Sequence, residues 1–326
     1  MLDSKNKHLK ISYYLTIISI IITLITVSFG SYTRLKHAGL GCPDWPGCYG
    51  NLTVPSSKYE LSVAKLNFPN ISIDINKAKI EMFHRYIASI LSICILLILI
   101  SSIYLRKLGH PLKIPILTSI VVIVQAMFGM WTVTLKLLPI IVTLHLVGGL
   151  TILSLLFILF LQLKSKMSSS YTNSQTILVR KKMNKIFNLT AIVLFLQIFL
   201  GGWVSTNYAG LGCLNFPYCN EFFLPKQLNF EGCFNFLSFN NYNKEMIHFV
   251  HRSMAAICGI LILIISLRKN NLFLLFILSI QIILGILNVF YLLPIYLAVL
   301  HNLFASLLLL TFIKAYYDNK RLHKHM

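Results

Sequence analysis

A chain of 326 residues that is 56% hydrophobic and only 12% charged, with a mean hydropathy of +0.75, is too apolar for a water-soluble domain and reads as an integral membrane protein. Its net charge of +20 raises nucleic-acid binding, but the basic residues are distributed by side along the chain, which excludes that reading and leaves an orientation signal. Alternation of the β-barrel kind is missing, so the spans are predicted to be helices, which satisfy their own backbone polar groups in hydrocarbon.

Eight apolar stretches of spanning length lie at residues 12–32, 82–105, 114–134, 139–163, 187–207, 246–267, 271–291 and 295–316. The tails and even-numbered connections, counted with Lys314 near the end of the last stretch, hold 18 Lys and Arg against two acids, Asp3 and Asp318, whereas the odd-numbered connections hold 9 against 7. Basic residues mark the cytoplasmic side, so both termini are expected there and the odd-numbered loops outside. The short basic N-terminal segment has no signal-peptide cleavage pattern and no Arg- and Ser-rich leader. That points to a bacterial inner membrane, not an organelle.

The first span runs into Gly39-Leu40-Gly41-Cys42-Pro43-Asp44-Trp45-Pro46-Gly47-Cys48 in an outer loop covering roughly residues 33–80. Cys42 and Cys48, like Cys213 and Cys219 later, have five intervening residues and lie on the oxidising side, so each pair is read as a local disulfide. The competing reading is a free or metal-binding pair, although zinc prefers four ligands at tighter spacing. Residues 51–79 mix polar and apolar positions and have room for a short interfacial helix. The second span opens with Glu81-Met82-Phe83-His84-Arg85, and the third contains Gln125-x-x-x-Gly129. In the fourth, His145 lies six residues past Pro139, about 9 Å deep at 1.5 Å per residue. Residues 164–185 are Ser-rich and basic, the composition of a flexible linker.

The second half repeats the first. Ala209-Gly210-Leu211-Gly212-Cys213 through Cys219 follows the first cysteine loop at a constant offset of 171 residues. His84-Arg85 returns at His251-Arg252, Gln125-x-x-x-Gly129 at Gln281-x-x-x-Gly285, and His145 at His301, seven residues past Pro294. This predicts two parallel four-helix repeats about a pseudo-twofold axis along the membrane normal: a half over 1–163, a cytoplasmic linker over 164–186 and a half over 187–326. A third copy, Gln197-x-x-x-Gly201, is read as close helix packing at glycine. Cys94 and Cys258 lie within spans and read as packing residues; Cys233 has no evident role.

Histidines at membrane depth are costly unless partnered or ligating. Imidazoles from facing helices fill both axial positions of a haem iron, so His84 with His145, and His251 with His301, are candidate pairs. Zinc is the weaker candidate, because two histidines per half leave its tetrahedral shell short. Arg85 and Arg252 have two readings: partners for haem propionates, or helix-end residues snorkelling to head groups. Glu81 is three residues before His84 and shares its helix face. It is either a proton-handling group beside a ligand or an acid favoured by a helix N-terminus. The other half has His248 in its place. The asymmetry predicts that one half reacts and the other holds.

Together, the first cysteine loop, Glu81-x-x-His84-Arg85, His145-x-x-Gly148-Gly149 and His251-Arg252 resemble the heme A synthase family over nearly the whole chain. The resemblance implies oxidation of the C8 methyl group of haem O to a formyl group, giving haem A for terminal oxidases. It assigns His84 and His145 to the iron of the substrate haem, Glu81 as the essential acid, and His251 and His301 to a resident haem b. It also matches the outer-loop disulfides Cys42–Cys48 and Cys213–Cys219. The partners it implies are haem O, the lipid bilayer, haem O synthase and terminal-oxidase assembly factors, with a homo-oligomer left open. This chain departs from the pattern at Leu214-Asn215, where the first loop has Pro43-Asp44, and at His248, which competes with His251 as a ligand. The rival activity is a bis-histidine electron-transfer cytochrome with two resident haems. A transporter with parallel repeats is a third class, but interrupted helices and midplane acids are not evident.

Overall fold

The computed structural model describes residues 2–106, 109–167, 178–220, 224–225, 228–238 and 243–321. Among them are nine helices: α1 (Leu2–Leu35), α2 (Lys58–Asn67), α3 (Ile75–Tyr104), α4 (Lys113–Thr134), α5 (Pro139–Met167), α6 (Leu178–Thr206), α7 (Lys244–Arg268), α8 (Leu272–Phe290) and α9 (Ile295–Arg321). All but the ten-residue α2 are long and apolar enough to cross a membrane, giving eight candidate spans in an all-α protein.

The helices overrun the apolar stretches that announce them. The apolar run of the second span starts at residue 82, yet α3 starts at Ile75, because Asp74 caps it by accepting from the N–H groups of Asn76 (3.0 Å) and Lys77 (3.1 Å). His84 is therefore not at the mouth of its helix but nine residues in, roughly 13.5 Å along the axis. Helix likewise enters both ends of the expected 164–186 linker, since α5 continues to Met167 and α6 begins at Leu178. Residues 168–177, the middle of that linker, lie outside the described residues.

Polar side chains within the apolar helices are satisfied locally. In α1 the hydroxyls of Thr16, Ser19, Thr23, Thr26, Ser31 and Thr33 each donate to the carbonyl four residues earlier. Ser12 also reaches across to Ser101 of α3 at 2.7 Å.

The chain forms two compact units, Met1–Phe160 and Leu161–Met326. In the first, α1 packs on α3 and α3 on α4, and Tyr13 stacks on Phe160 of α5. Its outer loop has a small core of its own, made by Cys42, Cys48, Tyr49, Ala64, Ala78 and Met82. In the second, α6 packs on α7 and α9, and α8 on both α7 and α9. Phe187, Cys258, Ile262, Leu274 and Phe312 lie at the centre of its core. The outer loop of this unit folds back on α6. Fully buried Trp203 donates its indole N–H to the Cys233 carbonyl at 2.8 Å, and Phe236 packs on the indole at 5.1 Å. That gives Cys233 a structural place which spacing alone did not.

Each unit docks its cysteine loop onto a helix-hairpin tip in the same way. Leu137, between α4 and α5, and Leu293, between α8 and α9, hold the left-handed backbone conformation with φ of 62° and 63°, unfavourable for a bulky side chain. Their side chains fill the space left by Gly39 and Gly210, where an added methyl group would come within 3.2 Å of either leucine.

Candidate functional site

In the first unit the site is assembled by α1, α3, α4 and α5 around His84 and His145. The two rings lie close enough to interact electrostatically. Each packs on a glycine of the membrane-spanning helix that precedes its own. A methyl group at Gly30 of α1 would stand 3.0 Å from His84 Cε1, and one at Gly129 of α4 would stand 3.5 Å from His145 Cε1. The same arrangement recurs in the second unit, with Gly201 of α6 against His251 (3.3 Å) and Gly285 of α8 against His301 (3.2 Å). His251 and His301 also interact electrostatically. The motif Gln-x-x-x-Gly therefore seats a histidine ring. Close approach at glycine is as expected, but what approaches is a side chain and not only a helix backbone.

The glutamines of that motif meet the histidines differently. Gln125 donates its amide N–H to the His145 carbonyl, lying across Gly148, where a methyl group would collide with the amide. Gln281 cannot repeat this, because the corresponding residue of α9 is Phe304, and its amide instead lies 3.3 Å from His301 Nε2. The Gln197 amide lies 3.2 Å from His251 Nδ1. Nδ1 of His84, His145 and His301 is buried without a hydrogen-bond partner.

Around His84 the polar contacts tie α3 to the cysteine loop. Cys42 is disulfide-bonded to Cys48, and its N–H donates to Glu81 Oε2 at 2.9 Å. Arg85 Nη2 pairs with Glu81 Oε1, while Nη1 donates to the carbonyls of Asp44 (3.0 Å), Pro46 (3.2 Å) and Gly47. Asp44 closes the loop by accepting from the N–H groups of Tyr49 (2.6 Å) and Gly50 (2.8 Å). Burial first, and then the charges of Asp74, Glu81 and Asp44, push the Tyr49 phenol above its ordinary value of 10.0. Glu81 itself is buried, 5% exposed, so its two fixed partners matter.

The second unit builds the equivalent contacts from other residues. Cys213 is bonded to Cys219, and the Cys213 N–H donates to Nδ1 of His248 at 3.1 Å. His248 thus occupies the acceptor position that Glu81 has in the first unit, while His251 sits with His301. Arg252 donates to the carbonyls of Asn215 (3.0 Å), Pro217 (2.9 Å) and Tyr218 (3.2 Å). Asn215, at the place of Asp44, spans the loop with its side-chain N–H on the Asn220 carbonyl at 2.7 Å. Sequence reasoning missed this latch: it treated the arginines as facing propionates or lipid and had no view of the loop carbonyls.

The donor set suits a planar iron chelate better than a bare ion. Among the described residues no three of His, Cys, Asp and Glu gather as a metal-ion cage, which is short of a tetrahedral zinc shell. Half-buried imidazoles gathered in twos suit a haem iron.

A polytopic all-α membrane protein with a histidine pair in each of two compact units is thus the class defined by fold and site. The model of the COX15-CtaA family, described as cytochrome oxidase assembly protein, matches residues 13–313. The chain belongs to that family. It is 38% identical over 318 residues to a protein of Shewanella oneidensis named heme A synthase, covering 92% of this chain and 94% of that one. Proteins of the same name from Rickettsia africae and Rickettsia prowazekii are 29% and 28% identical over 329 residues, each covering 92% of this chain and 95% of the relative.

Proposed function

We propose that this chain is a heme A synthase, an oxidoreductase that converts the C8 methyl group of haem O into the formyl group of haem A. Family membership over residues 13–313 and similarity along the full length of proteins carrying that name support the activity. The observation that carries the site reading is the pair His84 and His145, brought together within one unit beside a carboxylate held by the cysteine loop. In this reading His84 and His145 hold the iron of haem O as substrate. Oxidising the methyl carbon releases protons, and Glu81, three residues from His84 and itself 5% exposed, is the base that takes one. Arg85 orients Glu81 and ties the cysteine loop to α3, and Arg252 ties the second cysteine loop to α7.

His251 and His301 hold a resident haem b. When bound, that group supplies one-electron redox chemistry. Gly201 and Gly285 leave room for the two rings to pack closely, through Cε1, on the neighbouring helices. The sequence offset of 171 residues supports two parallel four-helix repeats about an axis along the membrane normal, with halves 1–163 and 187–326 joined by 164–186. The sided distribution of Lys and Arg supports a bacterial inner membrane location with cytoplasmic termini and extracytoplasmic cysteine loops. Haem O arrives from the bilayer, and haem O synthase and terminal-oxidase assembly factors are the protein partners.

The test is expression with a haem O source followed by chromatography of the extracted haems. Wild type should yield haem A, haem O and haem b. Glu81→Ala and Glu81→Gln should keep bound haem and lose at least tenfold in haem A. Normal haem A from either variant removes Glu81 from the chemistry, and haem b as the sole haem in wild type removes the substrate site.

A further inference from the structure

We propose that Gln197 is a positioning residue that fixes the His251 imidazole through Nδ1, and that its absence from the first half leaves Nδ1 of His84 without that anchor. The inference rests on the reading of His251 as a haem ligand. The position of Gln197 in the repeat, four residues before the glycine that packs on the ring, is occupied in the first half by Thr26, four before Gly30. The Thr26 hydroxyl is spent on the Ile22 carbonyl at 2.8 Å, and Nδ1 of His84 has no partner. In the second half the Gln197 amide stands 3.2 Å from Nδ1 of His251.

The chemistry at that contact has one consistent assignment. An imidazole that gives Nε2 to a metal carries its proton on Nδ1, so Nδ1 is the donor and needs an acceptor. The two ends of an amide have nearly the same shape, and turning the group over brings Gln197 Oε1, otherwise buried without a partner, onto Nδ1–H. One rotation satisfies two buried atoms. An acceptor at Nδ1 locks the tautomer and ring plane and makes the ligating nitrogen a stronger donor, which favours ferric over ferrous iron. A resident redox group benefits from a locked ligand. A substrate haem that must enter as haem O and leave as haem A benefits from a ligand whose Nδ1 is not tied to a side-chain amide.

The same glutamine pattern reaches different atoms elsewhere, Gln125 the His145 carbonyl and Gln281 Nε2 of His301. For His251 the Gln197 contact leaves Nε2 free for the iron, whereas for His301 Gln281 stands on Nε2 itself, so the assignment belongs to Gln197 and not to the motif at large.

The experiment is redox titration and low-temperature EPR of the resident haem in purified full-length protein. Gln197→Leu should raise the haem b midpoint potential and broaden the low-spin signal at unchanged haem b content, and Gln197→Glu, a stronger acceptor, should move the potential below wild type. An unchanged potential and signal in haem-loaded Gln197→Leu overturns the proposal. Should that variant fail to load haem, Gln197→Glu decides alone: a lowered potential supports the role, and a wild-type potential overturns it. His251→Ala separates the layers, since retention of the wild-type haem b spectrum in that variant would overturn both the ligand reading and the role built on it.

Discussion

The four histidines differ in how tightly their glycines hold them, and that ranking is testable. An alanine in a helix interior is favoured over glycine by about 0.5–1 kcal/mol on backbone grounds, so the sign of each substitution depends on the room available. At Gly129 a methyl group meets His145 at 3.5 Å, an ordinary contact, and Gly129→Ala should bind haem like wild type. At Gly30 the 3.0 Å approach to His84 forces the ring to move, and Gly30→Ala should lose most of its substrate haem while keeping haem b. Extracted-haem ratios read both; equal ratios in the two variants would refute the seating. The cysteines divide as clearly. Cys42, Cys48, Cys213 and Cys219 are disulfide-bonded, so mass spectrometry after alkylation should find them labelled only with reductant. Cys233 is buried, and burial pushes its thiol above the ordinary 9.0, leaving little thiolate at neutral pH. It should label slowly without denaturant; fast labelling of native protein would contradict its place beneath Trp203.

At the scale of elements, α2 shows how a short polar helix survives beside apolar ones. Ser57 accepts from the Glu60 N–H at 3.1 Å, and the Glu60 carboxylate accepts in return from the N–H groups of Ser57 (3.0 Å) and Ser56 (2.8 Å), a reciprocal cap. The Ser57 and Ser56 N–H groups hold the Glu60 carboxyl below its ordinary 4.5. Because folding lowers this value, the contribution of the cap is complete above 4.5 and is lost as pH falls through the lower folded value. Hydrogen exchange should therefore show residues 58–67 losing protection in acid before α3 does. Ser57→Ala should weaken α2 by about 1 kcal/mol, and Glu60→Gln should flatten that pH dependence; retained protection in acid would refute the cap. α2 was foreseen only as room for an interfacial helix within residues 51–79, since the cap sets its start more than hydropathy does.

For the whole molecule, reporter fusions at each end give the orientation directly. An alkaline-phosphatase fusion should be inactive at both termini and active in the loop after α1, and activity at either terminus would reverse the topology. The eight spans, the cysteine loops and the four repeated histidines were legible in one dimension. Hydropathy is a sum over neighbours in the chain, and recurring motifs are read from residue order, so neither needs a fold to be seen. Helix starts were less legible: α3 begins at Ile75, in polar sequence, because a side-chain cap and not lipid decides it. What tertiary structure alone decided is who meets whom. Cys42 N–H finds Glu81 across 39 residues, Cys213 N–H finds His248 across 35, and Gln197 finds His251 across 54. The arginines turn to loop carbonyls for the same reason: a buried donor must be partnered by whatever group the packed helices bring to it, and residue type names the need without naming the partner.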